Sequence, residues 1–246
     1  MKKFALMMAL ALPLALASCG DDNESTLTLN QNALNLDYGQ TSELKASENG
    51  GSWASSNDFV VSVDNKGKLT ANHEGRATVT VTKNGQTASC AVTVNATNNN
   101  FTTILTWGAT KAQVMANVPN SLVLMTENDG NLMYSLPQEA YPWYGFFFEN
   151  GSLKGSSVYF TDAMYDDYDC AGYIKQRYVK IENTDEGALY ANAKTLSEAT
   201  ESAELSYDAT QEVWCIMYQP VSHTKAAAID YNLMKEAKAF YKSVKK

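Results

Sequence analysis

Polar and apolar residues alternate with a period of two along the first third of the chain. Ala77, Val79 and Val81 fall on one face of such a segment, while the threonines that separate them fall on the other. An Asn-Gly dipeptide follows, which favours a tight hairpin turn, and a second alternating segment comes after it. Short alternating segments separated by turn residues are typical of a β-sandwich. We therefore predict an all-β sandwich over residues 26–95.

The pattern changes after a polar break at residues 96–100, which carries no apolar periodicity and is predicted to be a linker. Thirteen of the fourteen tyrosines lie beyond this break, which indicates a second hydrophobic core. Apolar residues at helical spacing from Ile229 to Val244 predict a C-terminal helix. Residues 101–246 therefore read as an α+β domain that follows the sandwich.

The predicted elements of this second domain alternate between helices and strand pairs. A capping box at 110–113 begins the first helix. The repeated order of helix, strands and hairpin suggests a tandem helix-plus-antiparallel-sheet repeat. The predicted segments are a helix at 110–118, strands at 122–125 and 132–136, a hairpin of 144–148 with 153–160, a helix at 169–181, a strand at 189–193, a hairpin of 203–207 with 212–219, and a helix from 229 onward.

The N-terminus begins with two lysines and continues as an apolar run from Phe4 to Ala17. This run is shorter than the roughly 20 residues that span a bilayer, and it has the layout of a secretory signal over residues 1–18. Its end, Leu16-Ala17-Ser18-Cys19, resembles the lipobox of bacterial lipoproteins. The resemblance implies that Cys19 is lipidated and anchors the mature protein to a membrane. The alternative is an ordinary signal peptide with a chance cysteine.

An acidic tether, residues 19–25, follows the signal segment. It is similar to the surface-export signal of some Gram-negative lipoproteins. In that family an Asp directly after the lipidated cysteine favours inner-membrane retention, and Gly20 occupies that position here, which favours the outer membrane. The resemblance therefore implies a lipid-anchored outer-membrane protein on the cell surface. The alternative interpretation of the tether is a flexible, solvated spacer.

Specific residues within the predicted sandwich recur in the order expected of one family. Trp53 suits the core between two sheets, and several glycines fall where turns need unusual dihedrals. The segment resembles the bacterial Ig-like group 2 family, which occurs in surface proteins and adhesins, and the resemblance implies a surface setting without a defined ligand. A single copy next to the anchor favours a stalk over a receptor. The residues that carry the resemblance are Gly39, Leu44, Trp53, Ser55-Ser56-Asn57, Val60, Val63-Asp64, Gly67, Leu69-Thr70-Ala71, Gly75, Ala77, Val79, Val81 and Cys90-Ala91-Val92-Thr93-Val94.

A second, fainter resemblance concerns residues 107–114 and the hairpin that ends at Phe160. Together they resemble the small α/β repeat of β-lactamase-inhibitor-protein-like and outer-membrane-assembly lipoproteins. The likeness covers a handful of residues over half a domain. It implies a topology and no functional residue.

The charge of the chain limits its partners. With 19 basic and 27 acidic residues the net charge is −8, and removal of two signal-segment lysines leaves 17 basic residues and −10. An acidic protein repels phosphate backbones, so we expect no nucleic-acid partner. The membrane, reached through the lipid anchor, and a protein or glycan ligand are the expected partners.

Three cysteines remain after the anchor, and an odd number cannot pair completely. Export permits disulfides, so Cys170 and Cys215 form a candidate bridge that would stabilise by about 4 kcal/mol in the chain-entropy model. The alternative is that both are small, buried, apolar residues, as the apolar neighbours of Cys215 suggest.

The aromatic run at 141–148 is the strongest candidate for ligand binding. In a strand, alternate residues face opposite sides. If Tyr144 faces the core, Trp143 and Phe147 face outward beside Tyr141, where they could stack on a sugar ring or anchor a protein partner. The alternative is that helices cover both faces of the sheet, or that Trp143 packs on the Ig-like domain.

Catalytic and metal-binding signals are weak. Four acids lie within eight residues and are weak calcium candidates, although their spacing is not that of an EF-hand and a helix start explains them equally well. His223 follows Ser222, but no Gly-x-Ser-x-Gly motif is present, and a helix cap at Ser222 or Thr224 is the better interpretation. We expect no cofactor and no catalytic residue. The four acids are Asp162, Asp166, Asp167 and Asp169.

These observations predict a non-enzymatic surface lipoprotein in which an Ig-like stalk presents an α+β binding domain to a protein or glycan. The second hypothesis, which rests on the faint repeat likeness, is a periplasm-facing envelope assembly or inhibitor-type protein. The third is a secreted hydrolase, which would require a pocket that brings acidic residues to His223.

Overall fold

The structure is a computed structural model that describes residues 26–128, 130–223 and 229–244. The predicted signal segment, Cys19 and the acidic tether therefore lie outside the described residues, as does Thr224. Of the helices that are described, none has the length and apolar character needed to cross a membrane.

Residues 26–95 form two packed antiparallel layers, with one parallel pair at an edge, as the alternating pattern predicted. The strand order is β1-β7-β6-β3 in one sheet and β2-β5-β4 in the other. The predicted Asn-Gly hairpin is present, and both Asn84 and Gly85 have positive φ, as this turn requires. The strands are β1 (Ala33–Asp37), β2 (Thr41–Glu43), β3 (Ser52–Ser55), β4 (Val61–Val63), β5 (Lys68–Ala71), β6 (Gly75–Lys83) and β7 (Gln86–Asn95).

The core of the sandwich consists of the apolar residues that alternate along its strands. Val79, Leu69 and Cys90 are completely buried between the sheets. Trp53 is partly buried and packs at the margin of this core. A Cβ at Gly67 would lie 2.3 Å from the Leu44 carbonyl oxygen and 2.8 Å from the Trp53 ring, so only glycine fits there.

Beyond residue 100 the described residues form eight strands and four α-helices. A 3₁₀ turn at Pro137–Glu139 joins the second strand to the third. The elements are α1 (Lys111–Asn117), β8 (Val123–Asn128), β9 (Asn131–Leu136), β10 (Ala140–Glu149), β11 (Ser152–Thr161), α2 (Asp162–Asp167), α3 (Cys170–Lys175), β12 (Val179–Asn183), β13 (Gly187–Ala191), β14 (Glu201–Asp208), β15 (Val213–Pro220) and α4 (Tyr231–Val244).

All eight strands belong to one antiparallel sheet with the order β12-β13-β14-β15-β11-β10-β9-β8. The sheet consists of two four-stranded meanders that meet where β11 pairs with β15. Short helices precede each meander in the chain, α1 the first and α2 with α3 the second. This is the element order that suggested a tandem repeat in the sequence.

Both faces of the eight-stranded sheet are covered. One face packs against Phe101 and α3, which contributes Tyr173 and Ile174. The other packs against α4, through Phe240 and Tyr241. Burial on both faces explains the continuous apolar runs at residues 146–148 of β10, 158–160 of β11 and 213–218 of β15.

The predicted helix at 169–181 is confirmed over its first half, as α3, and is wrong beyond Lys175, because β12 begins at Val179. The chain forms α2, breaks at Asp169, where φ is 48°, and restarts as α3, which the Asp169 side chain caps. Ile174 and Tyr178 pack on one face of the sheet, whereas Ile181 lies in β12 and packs on the other. Their helical spacing therefore arises from two separate elements.

The polar break at 96–100 lies outside any strand or helix, and it is held by contacts from the end of α3. The Gln176 side-chain oxygen accepts hydrogen bonds from the backbone N–H groups of Thr97 (2.7 Å) and Asn98 (3.1 Å). Arg177 pairs with Glu74 of the Ig-like domain at 2.7 Å and donates to the Asn98 carbonyl at 2.8 Å. These bonds join the Ig-like domain directly to the following segment.

Candidate functional site

The aromatic run predicted as a binding surface lies in β10, and its proposed outward pair is buried. Trp143 and Phe147 are 0% and 1% exposed. The Trp143 ring meets Tyr241 edge-on at 5.8 Å, and Phe147 meets Phe240 at 6.0 Å. The exposed-pair prediction is therefore wrong, because α4 covers this face of the sheet.

Tyr141, the third predicted binding residue, is partly buried at the start of the same strand. Its hydroxyl shares a hydrogen bond of 2.6 Å with the Tyr241 hydroxyl. Tyr141 and Pro142 also form one wall of an open groove on the molecular surface. Tyr144, which faces away from α4, lines this groove as well.

We call this feature the tyrosine groove; its volume is about 500 Å³. The chain segment before α1, the turn between α1 and β8, the start of β10 and the end of α2 form its walls. Its size lies within the range of small-ligand sites. The lining residues are Asn100, Thr102, Thr103, Ile104, Asn117, Pro119, Ser121, Leu122, Leu136, Tyr141, Pro142, Tyr144, Phe146, Met164 and Tyr168.

The lining of the tyrosine groove contains no Asp, Glu, Lys, Arg or His. Burial raises the pKa of Tyr144, so its phenol remains protonated and is able to donate a hydrogen bond. The Tyr168 ring is 44% exposed at the rim. A chain of net charge −8 thus presents an uncharged, ring-lined depression, which suits a neutral ligand with apolar and hydroxyl surfaces.

Two asparagine amides are fixed at the groove. The Asn117 side-chain nitrogen donates to the Gln113 carbonyl at 2.7 Å, and that of Asn100 donates to the Tyr168 carbonyl at 3.2 Å. Within the described part of the chain, no hydrogen bond reaches the side-chain oxygen of either amide. Both oxygens can therefore accept hydrogen bonds from ligand hydroxyl groups.

The candidate disulfide is absent, because Cys170 and Cys215 are free and buried. Cys170 packs on the α3 side of the sheet and Cys215 on the α4 side, so the sheet separates them. Burial raises the pKa of each thiol to about 12. Both are apolar core residues, the alternative that the sequence also allowed.

The four clustered acids do not converge. Asp162 accepts a hydrogen bond from the Trp214 indole at 2.6 Å, and Asp169 caps α3 by accepting from the Gly172 N–H at 2.9 Å. Asp166 and Asp167 are exposed on α2. Across residues 26–128, 130–223 and 229–244, no three Asp, Glu, His or Cys side chains are placed to hold a metal ion.

Each histidine bonds to a backbone carbonyl. His223 Nε2 lies 2.8 Å from the Ala199 oxygen. His73 Nδ1 lies 2.8 Å from the Phe59 carbonyl oxygen, and its half-buried ring stacks on the Phe59 ring with centroids 3.8 Å apart. Desolvation lowers the pKa of His73, so the neutral imidazole is favoured.

Glu201 is a mostly buried acid on β14 that accepts hydrogen bonds from the Tyr178 hydroxyl and the Trp107 indole. Burial raises its pKa above the ordinary 4.5.

The folded state therefore binds the proton of the Glu201 carboxyl group more tightly than the unfolded state does. The free energy of unfolding falls as pH rises from about 4.5 through the folded-state pKa. Glu201→Gln should remove that decline, as urea unfolding between pH 4 and 8 would show. Exposed Glu149→Gln is the control and should follow the wild-type curve; a parallel decline in both variants would contradict the assignment.

Comparison with known proteins identifies the class of the N-terminal part. Residues 26–94 match the family model of the bacterial Ig-like domain (group 2), so the chain carries a domain of that family, as the sequence resemblance predicted. No curated protein matches the chain. A solved structure of surface layer protein SbsC, domains 4–9, aligns over 81% of this chain at 14% identity and a TM-score of 0.25, too low for a shared overall fold. The chain spans 27% of that structure.

Proposed function

We propose that this protein is an exported envelope lipoprotein that binds an uncharged glycan in the tyrosine groove. Lipid on Cys19 anchors it, and the Ig-like domain holds the binding part away from the membrane. The lining of the tyrosine groove supports this class of ligand, because it combines tyrosine rings with fixed amide oxygens and contains no charged side chain. Rings pack on the apolar faces of sugars, and amides bind their hydroxyls.

The position of the Ig-like domain supports its role as a spacer. Near its N-terminal end, the Leu27 N–H donates to the Gln86 side chain at 2.6 Å, beside the β6–β7 hairpin turn. Glu74 and Thr97, which contact α3, lie at the opposite ends of the same two strands. The ten residues of β7 extend about 33 Å at the usual rise per residue. Leu27 and the contacts with the groove-bearing part therefore lie at opposite ends of the domain, which supports a spacer between a lipid on Cys19 and the groove.

Tyr168→Ala should lower affinity for a neutral oligosaccharide by about tenfold, because it removes a ring from the groove rim. The substitution should leave the fold intact, since surface changes cost within about 0.5 kcal/mol. The measurement is a glycan array followed by calorimetric titration of the best neutral ligand. A full mature chain that carries Cys19→Ser provides the soluble protein.

Tyr231→Ala is a matched control for this experiment. Tyr231 is 45% exposed, almost equal to Tyr168, and it lies outside the tyrosine groove at the start of α4. Its loss should not change glycan affinity. Equal loss of affinity in the two variants, or an array without a neutral glycan that binds, would refute the proposed site.

The second candidate function is an envelope assembly or inhibitor-type protein that faces the periplasm. The division of the eight-stranded sheet into two four-stranded meanders favours it, because the faint sequence likeness was to proteins built from such repeats. Brief protease treatment of intact cells separates the candidates. A surface protein is cleaved, whereas one that faces the periplasm is protected until the outer membrane is permeabilised.

A further inference from the structure

A second cavity lies where the Ig-like domain meets the segment that contains α3 and β12. We call it the junction cleft; its volume is about 780 Å³. Phe59 and His73 line it from the Ig-like domain, while Ile174, Tyr190 and Leu205 line it from the sheet and helices. It is separate from the tyrosine groove, with which it shares no lining residue.

The floor of the junction cleft is apolar and firmly packed. Phe59, Ile174 and Leu205 are each buried and belong to the two cores that meet here. Val179, at the start of edge strand β12, exposes 36% of its surface into the same region. A ligand body that covers these side chains would remove apolar surface from water, which is favourable at about 25 cal/mol per Å².

Charge around the cleft is opposite to that of the chain. Lys175, Lys180 and Lys194 line it, and Asp58 is the one carboxylate in the lining. Lys194 pairs with Asp58 across the cleft at 2.5 Å. Lys175 and Lys180 form no ion pair with any described residue. The local net charge is thus +2 on a protein of −8, which favours an anionic group at the rim.

Two neutral hydrogen-bonding side chains of the cleft, Asn72 and Tyr178, already have partners within the protein. The Asn72 amide donates to the Asp58 carbonyl at 3.1 Å and to Ser62 Oγ at 3.0 Å. The Tyr178 hydroxyl donates to Glu201. The apolar floor and the cationic rim suit a molecule with an apolar body and one negative charge better than they suit an uncharged sugar.

We propose that the junction cleft binds an amphipathic carboxylic acid, with its apolar body over Phe59, Ile174 and Leu205 and its carboxylate between Lys175 and Lys180. Both halves of the chain contribute to this site, so the Ig-like domain is part of a binding surface as well as a spacer. The proposal does not depend on the glycan site, because the two cavities share no residue.

The test compares dodecanoate with dodecanol, below their aggregation limits, by equilibrium dialysis against the full mature chain with Cys19→Ser. Dodecanoate should bind at least tenfold more tightly than dodecanol. The double variant Lys175→Gln/Lys180→Gln should lose about tenfold in dodecanoate affinity and keep that for dodecanol. Lys154→Gln/Lys235→Gln, which removes two lysines outside the cleft, is the charge-matched control and should bind as the wild type does.

A third variant tests the location. Ala171 is exposed on α3 and lines the cleft, so Ala171→Trp should fill the space without entering the core and should abolish binding of both probes. Circular dichroism and a thermal unfolding curve confirm that each variant is folded. Equal affinity for acid and alcohol, unchanged binding in the Lys175/Lys180 variant, or dodecanoate binding that survives Ala171→Trp would each overturn the proposal, as would the absence of dodecanoate binding.

Discussion

Trp143→Ala is expected to destabilise the protein by about 3–5 kcal/mol, the usual cost of truncating a fully buried tryptophan. The Trp143 side chain projects from β10 toward α4. Its ring contacts Tyr141 and Tyr241, and its indole N–H donates to the Glu139 carbonyl at 3.0 Å. Alanine leaves a cavity beneath α4 and an unpaired carbonyl. Urea unfolding at pH 7, followed by circular dichroism, measures the change.

Tyr168→Ala is the control for this stability measurement, because it removes an aromatic ring from the surface and should change the free energy of unfolding by about 0.5 kcal/mol or less. A loss below about 1 kcal/mol for Trp143→Ala would show that α4 does not cover this face in solution. The prediction also affects binding studies: ligand binding lost in Trp143→Ala would follow from damage to the core and would not locate a site.

Cys19→Ser is expected to move the protein from the membrane fraction to the soluble fraction almost completely. Each buried methylene of a lipid chain contributes about 0.8 kcal/mol to membrane residence, so several chains on one residue hold the protein firmly and their loss releases it. Cell fractionation with immunodetection measures the distribution, and incorporation of a labelled fatty acid shows the modification directly.

Ser18→Ala is a suitable control, since it keeps a small residue before the cysteine and should leave anchoring intact. Wild-type membrane association of Cys19→Ser would contradict the lipobox assignment and favour a different attachment. Lipid incorporation that persists in Cys19→Ser would show that another residue is modified. Neither outcome would bear on ligand binding in the tyrosine groove or the junction cleft.

Local sequence determined many of the elements. Thr110 and Gln113 form the predicted capping box, since a cap depends on residues three positions apart. The Asn84-Gly85 turn and the alternation on both sides of it likewise depend on residues only a few positions apart in the chain. The C-terminal helix formed as predicted because its apolar residues repeat at the helical period. The Ig-like domain was therefore recognisable from the sequence by itself.

Long-range packing determined the remainder. Alternation along β10 divides its aromatic residues between the two faces of the sheet. Trp143 is covered because α4, about 90 residues later in the chain, packs on its face, whereas Tyr144 on the other face lines the tyrosine groove. The same holds for Cys170 and Cys215, whose separation by the sheet depends on strand order. The predicted helix at 169–181 ends after Lys175, and Ile181 lies instead in β12, on the face of the sheet opposite to Ile174.

The sequence by itself determined the Ig-like domain, most strands and the last helix, because each depends on neighbours within a few positions, whereas the signal segment and lipobox stay predictions. Only the tertiary structure decided which surfaces are open. The tyrosine groove gathers residues from 100 to 168, and the junction cleft gathers residues from 38 to 205. No local pattern encodes these juxtapositions, because they arise from the pairing of distant strands and the docking of helices on a sheet.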